Sequence, residues 1–464
     1  MRTGPSWKLA EFATQLRYED IPTEVVQKQK DHLLDGLGNG LYGATTDLGR
    51  MILRVVDALP TRGNATIWGV GSKVSCSQAG FANGTFANVT EMEDGHHRTK
   101  FKPNTCLTPA GVATAEQIGA SGRDLLAGLI AALEVSLRIA EATHVGKEGY
   151  ARGWLATSSI GPIGSAVVAG RLIGLDLEQM VHALALAGNQ PSGIWSTGLT
   201  MAKRVAIGRA AENGILAAFM AAEGVTGGDT VFDDEWGSIC DVISPVHEQE
   251  LLTKELGQTW RTLTVGLKTY PTKGSSHSPI DALLEILGRE PDLTADQIER
   301  IRVRVSTGVA SNRALRTFPP RDFWEAQNSL PYILAVTAVD RACGLEQFAE
   351  ERVRDERVLA LAAKVQVEGS DEADRMPPQA KTAIVDVYLS GGRVSSSRVD
   401  YCRGEPENPL SPGQIEAKFR AVAKAALDEA AMTAVVEHVA RLELLSDVQA
   451  LTRHLAPAAV PART

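Results

Sequence analysis

Apolar residues recur at three- and four-residue steps along most of the first 265 positions, which is the spacing of one face of an α-helix. Residues 124–142 show this pattern most regularly. Residues 160–169 are small and apolar on every side, as expected for a helix buried among other helices. Residues 206–224 form a third long helical pattern, which ends at Gly224. The pattern therefore predicts a mainly helical region up to about residue 265.

The pattern changes after Lys268. Residues 300–305 alternate arginine with isoleucine or valine, which predicts a strand with one face in water. Residues 384–389 and 394–401 flank a Ser-Gly-Gly-Arg turn and predict a hairpin. The same region contains further predicted elements, a strand at 365–367 and helices at 280–287 and 323–342. These elements predict an α+β domain with an antiparallel sheet.

The chain returns to a helical pattern after the loop 404–412 and keeps it from 413 to about 454. The predicted fold class is therefore mainly α with an α+β second domain. A discontinuous all-helical domain would be formed by residues 1–265 and 404–464, with an α+β lid of residues 266–403 inserted into it. Small-molecule sites often form in clefts between domains, so we expect the acid and base residues at the domain interface.

Composition and motifs narrow the function classes. A net charge of −9 disfavours nucleic acid as the main partner, because phosphate binding needs a basic surface. The five cysteines are scattered without C-x-x-C spacing, which predicts a reducing compartment and no zinc site. No apolar run approaches the ~20 residues that span a bilayer, and neither a P-loop nor a G-x-S-x-G elbow is present. We expect a cytoplasmic protein without nucleic-acid or membrane partners.

The densest polar cluster along the chain contains Glu91, Glu93, Asp94, His96 and His97. Carboxylates and imidazoles this close in sequence could act as acid and base, or could hold a divalent metal. Adjacent histidines point in different directions on a regular backbone, which weakens the metal hypothesis. The structural alternative is a solvated loop at a helix end.

Three further groups contain residues suited to carboxylates. Lys268 and Lys273 lie where the helical pattern gives way to α+β; a lysine there could bind a carboxylate or, if its pKa were lowered, act as a base. Lys203 opens a helix, where a cation opposes the helix dipole, so an anionic ligand would explain it. Tyr150 and Arg152 combine a hydroxyl with a guanidinium. For each group the structural alternative is an ordinary surface or core position.

Five stretches, in the same order, resemble the MmgE/PrpD family, which includes methylcitrate dehydratase, cis-aconitate decarboxylase and iminodisuccinate epimerase. They are residues 31–43, 81–94, 191–214, 268–281 and 404–419. The fourth matches a K-x-Y-P pattern followed by H-x-x-I-D, and the fifth matches G-x-P-x-N-P-L. The resemblance implies a helical domain with an α+β lid, a small polycarboxylate substrate, chemistry that needs no cofactor, and a homodimer.

Together, the clusters and the resemblance predict a set of site residues. The catalytic set is Lys268, Tyr150, His96 and Asp94; the substrate-binding set is Glu91, Lys102, Arg152, Lys203, Lys273 and Tyr332; no residue is assigned to a metal. Two histidines of the family motifs are absent. Lys102 stands, with a one-residue offset, at the histidine of an H-P pair, and Leu155 stands at the histidine of R-G-F-H.

The missing histidines bear on the reaction. Dehydration and decarboxylation each need a proton donor, for which histidine is well suited. Epimerisation instead needs two bases, one on each face of the carbon, and Lys268 with Tyr150 could supply them. We therefore expect an epimerase or isomerase that abstracts a proton next to a carboxylate of an iminodisuccinate-like di- or tricarboxylate. Cationic side chains would stabilise the enolate-like charge.

Alternatives remain open at this stage. A dehydratase or decarboxylase of methylcitrate- or aconitate-type substrates could use Lys102 or His96 as proton donor. A metal-dependent hydrolase would use carboxylates and histidines of the 91–97 cluster. A non-catalytic carboxylate-binding protein would retain the cations without the chemistry.

Overall fold

The computed structural model describes residues 4–377 and 379–457, and helices dominate it. The α-helices in chain order are α1 Pro5–Gln15, α2 Thr23–Thr45, α3 Asp47–Ala58, α4 Cys76–Ala87, α5 Asn104–Ile118, α6 Gly122–Ala142, α7 Ala156–Leu172, α8 Leu177–Gly188, α9 Met201–Ala222, α10 Ile239–Ile243, α11 His277–Arg289, α12 Thr307–Ala310, α13 Phe323–Ala326, α14 Leu330–Asp340, α15 Glu350–Val353, α16 Glu356–Ala362, α17 Asp371–Asp374, α18 Pro412–Ala423, α19 Glu429–Ala440 and α20 Gln449–Thr452. The strands are β1 Ala65–Thr66, β2 Lys73–Val74, β3 Asp94–Gly95, β4 Gly266–Leu267, β5 Ile298–Val305, β6 Val365–Gly369, β7 Ala383–Leu389 and β8 Val394–Val399.

The chain divides into two compact units. The first comprises the described residues of Met1–Val89, Glu93–Gly266 and Ser411–Thr464, and the second comprises Thr90–Met92 and Leu267–Leu410. The first unit is helical apart from very short strands, and the second combines helices with a four-stranded sheet. The predicted fold class, mainly α with an α+β part, is confirmed.

Glycines allow the central helices of the first unit to pack closely. A Cβ on Gly208 of α9 would lie 2.1 Å from Thr85 Oγ1 of α4, and a Cβ on Gly214 would lie 2.4 Å from the Pro162 carbonyl oxygen of α7. No side chain fits at such distances, so glycine sets the separation between these helices. Every residue of α7 from 156 to 170 is buried, which confirms the buried helix predicted at 160–169.

Helix α9 is, among the described residues, the one helix whose length and apolar composition would allow it to cross a membrane. Half of its most apolar stretch is buried inside the protein. A core helix meets the same criteria, so this feature gives little support to a membrane span.

The sheet of the second unit has the strand order β6-β5-β7-β8. Along β5 the inward residues Ile301, Val303 and Val305 are buried in the unit's core, while the arginines between them face outwards, as the alternating pattern predicts. Pairs β5–β7 and β7–β8 are antiparallel, but β5–β6 is parallel. The sheet is therefore mixed, because the chain between β5 and β6 passes through helices and re-enters in the same direction.

Two long predicted helices are interrupted. The stretch 323–342 contains α13 and α14, and α14 begins where the Ser329 side chain accepts from the Tyr332 amide at 3.3 Å and Pro331 occupies the first turn. The stretch 413–454 divides into α18, α19 and α20, and Asp428 caps α19 by accepting from the Ala431 amide at 2.8 Å. Each of these stretches was predicted as one continuous helix. In the structure a local cap begins a new helix within it.

Candidate active site

Lys102 and Glu93 form an ion pair in the first unit. The side chain of Glu93 is 2% exposed and that of Lys102 is 17% exposed. Lys102 precedes the N-cap of α5, Pro103, and its backbone amide donates to Thr157 Oγ1 at 3.1 Å. Because both charges are largely withdrawn from water, removing either would leave the other poorly compensated. Lys102 therefore presents its ammonium group beside a buried carboxylate.

Asp94 is buried at the start of α5. Its carboxylate accepts from the Asn104 side-chain amide at 2.7 Å and from the Asn104 backbone amide at 3.3 Å, and Oδ2 lies 3.6 Å from His32 Nδ1. Burial raises the pKa of Asp94 to about 7, and the charge of Asp35 adds to the rise. Burial also lowers the pKa of His32 well below its usual value, so that imidazole is neutral. Asp94 therefore binds the start of α5 inside the unit, and its catalytic role stays a prediction.

Replacing Asp94 by asparagine should change how stability depends on pH. The folded pKa of about 7 lies above the ordinary 3.8, so the wild-type carboxyl contributes stability that is fully present below about pH 4 and is lost as the pH rises through 7. Asparagine keeps the shape and an acceptor but does not ionise. Asp94→Asn should therefore gain stability relative to wild type between about pH 5 and about pH 8, by about 3 kcal/mol. Thermal melts at both pH values test this.

The control for this measurement is Asp57→Asn, which removes one carboxylate from an exposed position of α3. If Asp94→Asn and wild type differ by the same amount at both pH values, the buried carboxyl does not titrate in this range and the prediction is wrong.

His96 lies in a chain of polar contacts in the first unit. Its Nδ1 is 2.9 Å from Thr99 Oγ1, and its Nε2 is 3.8 Å from Glu141 Oε1. The other oxygen of Glu141 accepts from Arg261 Nε at 2.8 Å. The His96 side chain is 6% exposed. These contacts orient the imidazole and place a carboxylate beside it.

Tyr150 lies directly after a single π-helical turn, Val145–Gly149. Its ring centroid is 4.7 Å from that of Trp195, and the Lys100 ammonium lies 3.6 Å from the Tyr150 centroid. Lys100 has a φ of 55°, and a positive φ is uncommon for residues other than glycine. Residues with such strained backbone angles cluster at functional sites. Burial raises the pKa of Tyr150. The phenol therefore stays protonated, which suits a proton donor better than the predicted base.

The other two cations predicted for this unit, Arg152 and Lys203, lie on different elements. Arg152 is exposed, and its amide donates to the Glu148 carbonyl at 3.1 Å, one turn back. Lys203 is half-buried in the first turn of α9, which starts at Met201, earlier than the helix predicted from residue 206. Neither position tests whether the residue binds substrate, so this role stays a prediction for Arg152 and Lys203.

Lys268 of the second unit contacts Glu91. Its Nζ donates to the Glu91 carbonyl oxygen at 2.7 Å and lies 3.4 Å from Glu91 Oε2. The side chains are 13% and 7% exposed. Glu91 has a φ of 56°, a second left-handed residue that is not glycine. The structure therefore brings together the predicted catalytic lysine and the predicted binding carboxylate Glu91 within one unit.

Lys273 and Tyr332 differ in their environment. Lys273 is half-buried, and its amide donates to the Gln327 carbonyl at 3.2 Å. Tyr332 is fully buried, packs 5.9 Å from the Phe348 ring and donates its hydroxyl to the Gln347 carbonyl at 2.6 Å. Its burial and its hydroxyl bonded to the backbone are typical of a structural tyrosine. Substrate binding by Tyr332 stays a prediction.

The metal-dependent hydrolase considered from the sequence finds little support. Within residues 4–377 and 379–457, no three side chains of His, Cys, Asp or Glu form a group that could hold a metal ion. Asp94 and His96, two of the ligands that this alternative needs, are directed towards Asn104 and Thr99.

Comparison with known proteins identifies the family. The MmgE/PrpD N-terminal domain matches residues 7–251, and the MmgE/PrpD C-terminal domain matches residues 270–442. The chain belongs to the MmgE/PrpD family. Its relatives include proteins named cis-aconitate decarboxylase. The one from Aspergillus terreus is 28% identical, with 97% of this chain and 95% of the relative covered; the one from Homo sapiens is 28% identical, with 95% and 93% covered; the one from Mus musculus is 26% identical, with 95% and 91% covered.

This MmgE/PrpD protein is therefore similar, over nearly the whole length of both chains, to proteins named as an enzyme, a lyase. The resemblance drawn from five short stretches is confirmed. At the two motif positions that lack histidine, the structure places Lys102 in its ion pair with Glu93, and Leu155, 8% exposed, as the N-cap residue of α7.

The residues that were given no role from the sequence include Glu93, Lys100, Glu141 and His32. Glu93 stood in the predicted polar cluster without an assignment. His32 could have been found from the sequence, because His32, Asp35 and Asn39 recur at helical spacing within an otherwise apolar, glycine-rich stretch. In the structure all three are buried. Glu141 could not have been found, because its contact with His96 depends on how α6 packs.

Proposed function

We propose that this MmgE/PrpD protein is a lyase that releases carbon dioxide from a small polycarboxylate through a carbanion. Support comes from the near full-length similarity to proteins named cis-aconitate decarboxylase. The observation that carries the proposal is the placement of Tyr150, whose ring lies 3.6 Å from the Lys100 ammonium and whose pKa is raised by burial. Tyr150 supplies the proton donor that the absent histidines would otherwise have provided.

The chemistry balances with Tyr150 in this role. The bond between the substrate carbon and its leaving carboxylate breaks, carbon dioxide departs, and the electron pair is delocalised through the adjacent double bond towards a remaining carboxylate. The phenol O–H then donates its proton to one of the carbons that share this electron pair. The Lys100 ammonium, 3.6 Å from the ring centroid, stabilises the phenolate until water returns a proton.

Cations would bind the substrate carboxylates and the developing charge. Lys102 and Lys268 are each paired with a glutamate, so each is proposed to direct a hydrogen bond to a carboxylate oxygen. Lys203 in the first turn of α9 and the exposed Arg152 are proposed as further carboxylate contacts. His96, oriented by Thr99 and Glu141, is proposed as a second proton-holding group.

Epimerisation of an iminodisuccinate-like compound is the second candidate. The observation that favours it is the replacement of two motif histidines by Lys102 and by the apolar Leu155. It requires a base on each face of the carbon, and the raised pKa of Tyr150 counts against Tyr150 as one of them.

Proton NMR in heavy water tests the proposal. The full-length protein is incubated separately with cis-aconitate, trans-aconitate, citrate, methylcitrate and the iminodisuccinate stereoisomers. We expect one substrate to lose carbon dioxide and the product to contain one new carbon-bound deuterium, either on the carbon that lost the carboxylate or on the carbon conjugated with it. Loss of water instead would identify a dehydratase, exchange with inversion would identify the epimerase, and absence of any change would refute an enzyme acting on these compounds.

The matched variant is Tyr150→Phe, which keeps the ring against Trp195 and Lys100 but removes the transferable proton. Loss of a general acid should slow turnover by about 100- to 10,000-fold. Full activity in this variant would remove Tyr150 from the mechanism. A cytoplasmic location remains part of the proposal and is consistent with the five free cysteines, all of which are buried.

A further inference from the structure

Two segments of the second unit that are far apart in sequence meet on both sides of Lys268. The Leu267 amide donates to the Gly404 carbonyl at 2.8 Å, and the Thr269 hydroxyl donates to the Arg403 carbonyl at 2.9 Å. The residues before and after Lys268 are therefore both bound to one turn. The backbone position of Lys268 depends on where that turn lies.

Asp281 of α11 fixes this turn. Its carboxylate, 5% exposed, accepts from the Arg403 amide at 2.8 Å, from Arg403 Nε at 3.0 Å and from the Tyr270 hydroxyl at 2.5 Å. The Arg403 guanidinium also donates to the Tyr270 oxygen. One carboxylate thus binds the turn, α11 and Tyr270, two residues beyond Lys268.

The turn also has its own internal bonds. The Gly404 amide donates to the Asn408 carbonyl at 2.8 Å, and the Asn408 side chain donates to the Tyr401 carbonyl at 3.1 Å. The two sequence motifs at 268–281 and 404–410 are therefore parts of one hydrogen-bonded assembly. Such an assembly can place Lys268 without any contact to its ammonium group.

A purely stabilising role explains this arrangement poorly. Buried ion pairs contribute little net stability compared with apolar packing, because desolvation offsets the attraction. Directed, charge-assisted hydrogen bonds instead restrict geometry. Three donors converge on the Asp281 carboxylate, and one further hydrogen bond lies on each side of Lys268. Together these bonds restrict the backbone at Lys268.

We propose that Asp281 is a positioning residue for Lys268, acting through Arg403 and the turn at Gly404. The carboxylate keeps the Lys268 ammonium at its place beside Glu91, at 2.7 Å from the Glu91 carbonyl oxygen. The inference rests on the proposed function only in taking Lys268 as a cation that binds the substrate.

The test compares Asp281→Asn with Asp386→Asn in the full-length protein. Asp386 is a matched control: it is 7% exposed, lies in β7 of the same unit, and accepts from Arg304 at 3.1 Å and from Ser396 at 2.7 Å. Both variants remove one buried charge that pairs with an arginine. Only Asp281→Asn weakens the assembly beside Lys268.

The first readout is the rate at which acetic anhydride acetylates Lys268, followed by peptide mass spectrometry with the exposed Lys364 as internal reference. We expect Asp281→Asn to raise the rate at Lys268 by about tenfold, the effect of losing one charge-assisted hydrogen bond. Asp386→Asn should leave it unchanged. This readout needs no substrate, so it remains decisive even if the proposed function is wrong.

The second readout is steady-state kinetics, where Asp281→Asn should raise KM more than it lowers kcat, and Asp386→Asn should change neither. Tyr270→Phe removes one donor to Asp281 and keeps the ring; it replaces Asp281→Asn if that variant does not fold. If labelling of Lys268 and KM stay at wild-type values while the melting temperature falls as in Asp386→Asn, Asp281 is purely structural and the inference is overturned.

Discussion

Lys268→Met is expected to lower kcat/KM by about 100- to 1000-fold, the usual effect of removing one group that stabilises charge in a transition state. The side chain of Lys268 is 13% exposed and its ammonium lies 2.7 Å from a carbonyl oxygen, so the charge is largely withdrawn from water and directed before any substrate binds. Methionine keeps a similar length and volume without the charge. The measurement is steady-state kinetics on the substrate identified by NMR.

The same substitution should also destabilise the protein, because Glu91 is 7% exposed and loses its cation. The double variant Lys268→Met with Glu91→Gln separates the two effects. It should recover the melting temperature but not the activity. If activity returns with stability, Lys268 serves only to neutralise Glu91 and its assignment to the substrate is wrong. Lys364→Met, at an exposed position of the same unit, is the control for the loss of a lysine.

Gly404→Ala is expected to destabilise the protein by about 2–4 kcal/mol and to reduce activity with it. Gly404 has a φ of 94°, which costs other residues about 1–2 kcal/mol. An added Cβ would also lie 1.8 Å from the Leu267 carbonyl oxygen, so the backbone next to Lys268 must move. Chemical denaturation measures the stability, and kcat/KM measures the effect on Lys268.

Gly391→Ala separates backbone strain from the steric clash. Gly391 lies in the β7–β8 hairpin with a φ of 92°, and nothing lies within 4 Å of the position of its Cβ. The substitution should cost only the strain, about 1–2 kcal/mol, and should leave activity unchanged. Equal losses of stability in the two variants would contradict the close approach of Gly404 to Leu267.

The local patterns were the reliable part of the sequence-based prediction. The alternation of arginine with branched apolar residues marked β5, and the uniformly small, apolar stretch at 160–169 marked the buried α7, because side-chain periodicity follows directly from backbone geometry. Helix ends were less predictable. The stretch 323–342 was predicted as one helix, but polar residues 327–329 interrupt it, and Ser329 caps a new helix there. The strand at 365–367 was predicted, but its parallel pairing with β5 was not, because pairing direction depends on the path of a long connection.

The candidate residues of the site were likewise predictable from the sequence, whereas their protonation was not. The sequence placed Lys102, Lys268, Glu91 and Tyr150 among the candidates, and the order of the motifs identified the family. It could not assign protonation. Burial of Tyr150 raises its pKa and favours a donor over the expected base, and burial raises the pKa of Asp94 to about 7 within a helix cap.

The sequence by itself determined the helical and strand periodicities, the class of fold, and the residue types available for carboxylate chemistry. Each of these follows from residues that are close together in the sequence. Only the tertiary structure decided that Tyr332 lies in the core, that Glu141 faces His96, and that Asp281 and Arg403 meet beside Lys268. The physical reason is that burial and hydrogen-bond partners arise from contacts between segments far apart in the chain. Desolvation and charge at those contacts set which groups ionise, and local spacing carries no record of them.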